Sequence, residues 1–204
     1  MNTQGMTEPR WWDKGTRFLH MGLAGIVTLQ LFTSLGVEAP EPDHPLPTGL
    51  DALLLDTHEW LGMAALLIVL AHWAWSAWSN GGAGVRHLLP WRAADRRKII
   101  QESRDIISLR LPPTGPGAKL PGLIHGLGLL AVTGMALSGA VLFFWMPENG
   151  KITAFTDGAK ELHEFIATFV WVYWGGHAGM AVLHHVWGRD GTLRNMFKLN
   201  ADKS

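Results

Sequence analysis

The chain has 204 residues, 48% of them hydrophobic, with 11 Trp against 1 Tyr and a formal net charge of zero. That composition points to the bilayer as solvent, and a balanced total charge gives no sign of a nucleic-acid partner. The absence of Cys excludes thioether-attached haem, cysteine-ligated iron–sulfur clusters and disulfides, so any redox chemistry must use a noncovalent cofactor.

The mean hydropathy is only +0.11, because polar loops dilute four apolar blocks. The opening MNTQGMTEPR has no basic start followed by an apolar core and a small-residue cleavage site, so no removable signal peptide is expected. The first block, Arg17 to Val37, is close to the ~20 residues that cross hydrocarbon. It contains His20 and is interrupted by Thr28, Gln30 and Thr33; polar groups at membrane depth usually face a bundle interior or a cofactor. The second block, Thr57 to Trp78, carries His58, Gly62 and His72. In the loop that follows, RAADRRKIIQESRDIISLR puts Ile99, Ile100, Ile106 and Ile107 at helical spacing, which predicts a helix lying on the membrane interface. LPPTGPGAKLPG then breaks it before the third block, Pro121 to Trp145, with His125. The fourth, Leu162 to Trp187, holds His163, His177, Gly175, Gly176 and Gly179, with His184 and His185 near its end. Trp11, Trp12, Trp78, Trp91, Trp145 and Trp187 fall near span ends, where indoles favour the headgroup level. The expected fold is a single all-α membrane domain over 1–204: a four-helix transmembrane bundle with a cytoplasmic interfacial helix between spans two and three.

The zero total conceals a sorting of charge. Of 17 Lys and Arg, 15 precede or open span one, lie in the second loop or follow span four. By the positive-inside rule both termini and that loop are cytoplasmic, and the first and third loops are outside. The outer segments carry ten acids, Glu38, Glu41, Asp43, Asp51, Asp56, Glu59, Glu148, Asp157, Glu161 and Glu164, against Lys151 and Lys160, a formal −8. Such a face either is simply solvated or steers a basic partner.

Two spans each repeat one histidine spacing: His58 with His72, and His163 with His177. Fourteen residues advance a helix by about 21 Å and return it to within about 40° of its starting face, so each pair marks two depths on one side. Facing helices with such pairs can hold two stacked metal centres, and imidazole is a good axial ligand for haem iron. The outer centre combines His58 and His163. For the inner centre His177 has two candidate mates, His20 and His72, between which geometry does not choose. Zinc is a poorer alternative, since His163 and His177 are too separated to share one ion. Gly62, Gly175, Gly176 and Gly179 lie within a turn of these histidines, and Gly62 and Gly176 are the better candidates for letting a porphyrin approach the backbone. His72 and His125 read equally as hydrogen-bonded interhelical residues. His184 and His185, at the inner surface, could be solvated, touch a propionate or line a quinone site.

The segments WDKGTRFLHMGLA, HEWLG, LPGLIHGLGLL and KELHEFIATF...GGHAGMAVLHHVWGRDGTLRNM resemble the bacterial cytochrome b561 family and the b-type subunits of membrane formate dehydrogenases and nickel–iron hydrogenases. The likeness runs over nearly the whole chain. It implies two haem b groups, ligated by His20 with His177 and by His58 with His163, with His72 standing where such proteins more usually have arginine. It also implies quinone exchange near the inner haem, which implicates Lys14, Arg17, His125, His184 and His185.

With both axial positions filled, the expected role is outer-sphere electron transfer rather than substrate chemistry at the metal, so no catalytic residue is assigned. The favoured reading is a subunit in the bacterial inner membrane, passing electrons between the quinone pool and an extracytoplasmic redox protein, such as a basic c-type cytochrome or a dehydrogenase. One branch of the family instead oxidises superoxide and reduces ubiquinone unaided, but a face of −8 should slow an approaching anion. A haem-free scaffold or transporter with histidine proton relays is the alternative from another class.

Overall fold

The computed structural model describes residues 12–37, 47–79, 84–115, 117–147, 152–189 and 191–197, with backbone alone at 192 and 194. Among these residues every regular element is helical. Trp11, the acids Glu38, Glu41, Asp43 and Glu148, and the bases Arg10, Lys151, Lys198 and Lys203 lie outside them.

Helix α1 runs Lys14–Thr33 and tightens into a 3₁₀ turn, Ser34–Gly36. Asp13 caps it, accepting from the Thr16 amide at 2.8 Å and the Thr16 hydroxyl at 2.7 Å. Burial opposes the charge on Asp13, but these bonds outweigh it and hold the carboxyl below its ordinary pKa. Helix α2, Leu50–Trp78, begins beyond Gly49, whose φ of 61° lies in the left-handed region that favours glycine. A short helix α3, Val85–Leu88, precedes α4, Ala93–Ile107. Helix α5 is Leu120–Trp145 with Pro121 in its first turn. Helix α6, Ala154–Leu183, opens with a Thr153–Thr156 capping box and passes into one π turn, His184–Gly188; α7 is Thr192–Phe197.

The second and fourth long helices begin earlier than the apolar blocks, at Leu50 rather than 57 and at Ala154 rather than 162. Hydropathy marks where lipid contact starts, whereas these first turns carry Asp51 and Asp157, which suit a helix N-terminus. His58 and His163 therefore sit more than two turns inside their helices. Four helices are long and apolar enough to cross a membrane. Their outward faces bear large apolar side chains, such as Leu67 at 69% and Val172 at 72% exposure, that only an apolar solvent would cover. Trp78 and Trp91 are exposed near span ends, as the aromatic belt requires.

Around the bundle α1 packs on α2, α2 on α5 and α5 on α6. The fourth side, α6 to α1, is bridged by side chains: the Trp174 indole donates to the Thr28 hydroxyl at 3.0 Å, and Phe32 meets Trp171 and Trp174 edge-on at 5.8 Å each. Trp73 donates to Thr133 at 3.0 Å and Trp75 to Thr16 at 3.1 Å, tying α2 to α5 and α1. The N-termini of α2 and α6 lie at one end, labelled outer after the sorting of charge in the sequence. The N-termini of α1 and α5 lie at the inner end with α3, α4 and α7.

At the inner end α3 is pressed onto α5, where a Cβ at Gly126 would overlap the Leu88 carbonyl and one at Gly122 would come within 2.7 Å of His87 Nε2. Burial, and then the nearby Lys119 ammonium, hold the His87 imidazole below its ordinary pKa. Helix α4 exposes Ile100 and Ile107, the apolar side of an interfacial helix. Its one buried residue is Glu102, at 3% exposure, whose carboxylate accepts from the Lys119 amide at 2.9 Å and the Leu120 amide at 2.7 Å. A side chain from α4 thus caps α5 across a long loop. Glu102→Ala is expected to cost about 2 kcal/mol, because it strands two amide donors and removes a carboxylate from a helix N-terminus. Unfolding of the purified protein in a denaturing detergent series would measure it, and an unchanged midpoint would mean the cap is replaced by water.

Candidate functional site

At the outer end, His58 on α2 faces His163 on α6, with ring centroids 6.4 Å apart and ring planes at 81°. Both border a cavity of about 390 Å³ walled by all four long helices, through Val27, Leu31, Ala65, Val132, Met135 and Val170 among others. That volume lies within the ~300–1,000 Å³ of ligand pockets, and the apolar walls with a few convergent polar groups are the usual pattern.

Hydrogen bonding orients the two rings. The Ser138 hydroxyl, buried on α5, has the Gly134 and Met135 carbonyls at 2.9 and 3.0 Å and His163 Nδ1 at 2.9 Å. Its single proton goes to a carbonyl, so its oxygen accepts from His163 Nδ1–H, and Nε2 keeps its lone pair. Thr33 repeats the arrangement more loosely. Its hydroxyl donates to the Leu29 carbonyl at 2.9 Å and lies 3.4 Å from His58 Nδ1. Gln30 donates to the His58 carbonyl at 2.9 Å. A ligating imidazole characteristically donates its other N–H in this way, which fixes tautomer and ring angle.

At the inner end α1, α5 and α6 bring His20, His125 and His177 together, with one nitrogen from each within 4.8 Å of the others. Ring centroids are 6.1 Å apart for His20 and His177, 6.1 Å for His20 and His125, and 4.9 Å for His125 and His177. Tyr173 stacks on His177 at 5.3 Å and 14°. His125 Nδ1 donates to the Pro121 carbonyl at 2.6 Å. His20 Nδ1 is buried with no hydrogen-bond partner, an arrangement that costs about 1–3 kcal/mol until something takes the atom. His72 is buried on α2 with Nδ1 3.4 Å from the Ser76 hydroxyl, outside this cluster.

Two imidazoles holding one ion from opposite sides, at about 2 Å per metal–nitrogen bond, put their ring centroids about 6 Å apart. His58 with His163 and His20 with His177 have that separation; His125 with His177 is tighter. The residues present therefore fit a group that takes one imidazole on each face.

The remaining sequence candidates divide. A Cβ at Gly62 would come within 2.9 Å of Gln30 Nε2, so its smallness makes room for that side chain, whereas Gly176 faces open space. Lys14 is exposed; Arg17 is buried at 2% exposure, and its guanidinium reaches the Asn195 carbonyl at 3.5 Å. The π turn separates His184, which is buried, from His185, which is exposed. Sequence reading missed Ser138 and the adjacent Gly139, where a Cβ would stand 3.1 Å from the His163 ring. Their signal was a polar and small pair in the otherwise apolar second half of the span, beyond His125 and Thr133. It also missed Tyr173, the single Tyr of the chain. Glu59, Lys160 and Glu164 line the outer cavity, with Lys160 and Glu164 3.9 Å apart.

A sequence profile of the family described as prokaryotic cytochrome b561 matches residues 11–199. No curated protein and no solved structure matches the chain.

Proposed function

Because the chain belongs to the prokaryotic cytochrome b561 family and is a multi-pass membrane electron-transfer protein of the b-haem type, we propose that it carries two haems. On this reading it moves electrons between the quinone pool and a basic redox protein on its outer side. The observation that carries the reading is the pair of facing histidines at each end of one bundle, His58 with His163 and His20 with His177, at matching separations.

When bound, each haem would supply a one-electron couple, held by His58 with His163 or by His20 with His177. The chain's own residues do the rest. Ser138 and Thr33 hold the outer imidazoles in the tautomer that leaves Nε2 free. The apolar walls exclude water and lower the local dielectric. At the inner end, His125, buried Arg17 and His184 supply the polar groups for a quinone head, with Lys14 and His185 exposed beside them as links to the aqueous protons. By the positive-inside rule this end is cytoplasmic, and membership of a prokaryotic family supports a bacterial inner membrane.

Glu59 and Glu164 at the outer cavity, with Asp51, Asp56, Asp157 and Glu161 on the same end, favour a cationic protein over superoxide. The test is stopped-flow mixing of the purified, reduced protein with an oxidised basic c-type cytochrome over a range of salt. The second-order rate is expected to fall about tenfold or more between low and physiological ionic strength. A salt-independent rate, or a superoxide reaction accelerated at low salt, would overturn the partner assignment.

A further inference from the structure

The basic end carries a second cavity that the electron-transfer reading leaves unused. It has a volume of about 330 Å³ and is lined by Arg86, Trp91, Arg92, Asp95 and Lys119. These residues come from α3, the turn after it, the start of α4 and the residue preceding α5.

The walls are held in place independently of any ligand. Leu88 and His87 press α3 onto Gly126 and Gly122 of α5, which fixes Arg86 beside the head of span three. Glu102 ties α4 to the Lys119 and Leu120 amides, and Lys98 donates to the Gly117 carbonyl at 2.9 Å. Asp95, the one acid in the lining, is engaged by Lys119 at 3.2 Å. Among the described residues Arg86 and Arg92 have no carboxylate partner, so two guanidinium groups are left facing one cavity with their charge uncompensated.

The height of this cavity decides what can reach it. Lys119 stands directly before the first residue of a membrane-spanning helix. Trp91 in the lining is 64% exposed, and Ile100 and Ile107 further along α4 are exposed; exposed indole and isoleucine on an arginine-bearing segment are the composition of an element seated at headgroup level. Guanidinium pairs prefer phosphate oxygens, which they grip with parallel N–H donors.

We propose that Arg86, Arg92 and Lys119 form a binding site for a phosphate-bearing anion, and that its source is the headgroup of an anionic phospholipid, with Trp91 packing against the glycerol region. Basic pockets beside transmembrane helices on the cytoplasmic side suit such headgroups. A bound headgroup would join α3, α4 and the head of α5, and so steady the inner end from which His125 projects.

The test uses the full-length protein in neutral detergent, titrated with phosphatidylglycerol or phosphatidylcholine and read by native mass spectrometry. Wild type is expected to bind phosphatidylglycerol in preference. Arg86→Gln with Arg92→Gln should weaken that binding about thirtyfold, by removing two direct charge-assisted contacts to the headgroup. Arg96→Gln with Arg97→Gln removes the same charge from α4 outside the cavity, where at physiological ionic strength screening should leave binding within about threefold of wild type. Equal losses in the two double variants would mean diffuse surface potential and no site. Competition by millimolar inorganic phosphate, lost in the Arg86 and Arg92 variant, would assign the cavity to a soluble phosphate and overturn the lipid assignment. Because all four side chains are exposed, an unaltered melting profile checks that each variant is folded.

Discussion

His163→Ala is expected to halve the haem of the purified protein, from two b haems per chain to one, and His58→Ala to do the same. Each removes one of two imidazoles that face each other at 6.4 Å across the outer cavity, while the inner cluster lies some 21 Å away along α6 by the helical rise. The remaining haem should keep its low-spin spectrum, since its ligands are untouched. Pyridine-haemochrome assay against protein concentration gives the count directly. Retention of both haems in either variant would dissolve the outer pair, and colourless wild-type protein would remove the electron-transfer reading altogether.

The inner centre makes the sharper forecast, because three histidines converge there and a fourth stands nearby. His20→Ala and His177→Ala should each lose the inner haem and keep the outer one. His125→Ala and His72→Ala should keep two. The distinction rests on geometry: His125 is 4.9 Å from His177, closer than opposite-side ligation permits, and its Nδ1 is already committed to Pro121. His72 belongs to an intrahelical contact with Ser76. Low-spin electron paramagnetic resonance signals separate the outcomes, since losing one axial ligand gives a high-spin species even where the haem is retained. A two-haem His20→Ala protein together with a one-haem His72→Ala protein would reverse the assignment.

Much of this architecture was readable from residue spacing, for a simple reason. A helix repeats every 3.6 residues, so a fourteen-residue interval within one apolar block specifies both face and depth, and the facing of His58 and His163 needs only that α2 and α6 run in the same direction. Polar interruptions were equally informative: Thr28, Gln30 and Thr33 all turn inward, to Trp174, to the His58 carbonyl and to the His58 ring. What spacing cannot report is contact between elements far apart in sequence. Nothing local marks Ser138 as the acceptor for His163, or Glu102 as the cap of a helix eighteen residues on. Helix α3 has four residues, too few for any period to register, and exists because Gly122 and Gly126 leave room for it. The early starts of α2 and α6 were hidden because apolar content records the solvent around a helix, not the helix itself.

Both facing pairs, His58 with His163 and His20 with His177, draw one member from α6, and α6 meets α1 through tryptophan and phenylalanine side chains. In chain order α6 follows α1, α2 and α5, so until it inserts, His20 and His58 lack the imidazoles that face them from α6. On the dihaem reading, neither site can then be complete before α6 is in place. A chain stopped before α6 would insert three spans and remain colourless however much haem the cell supplied.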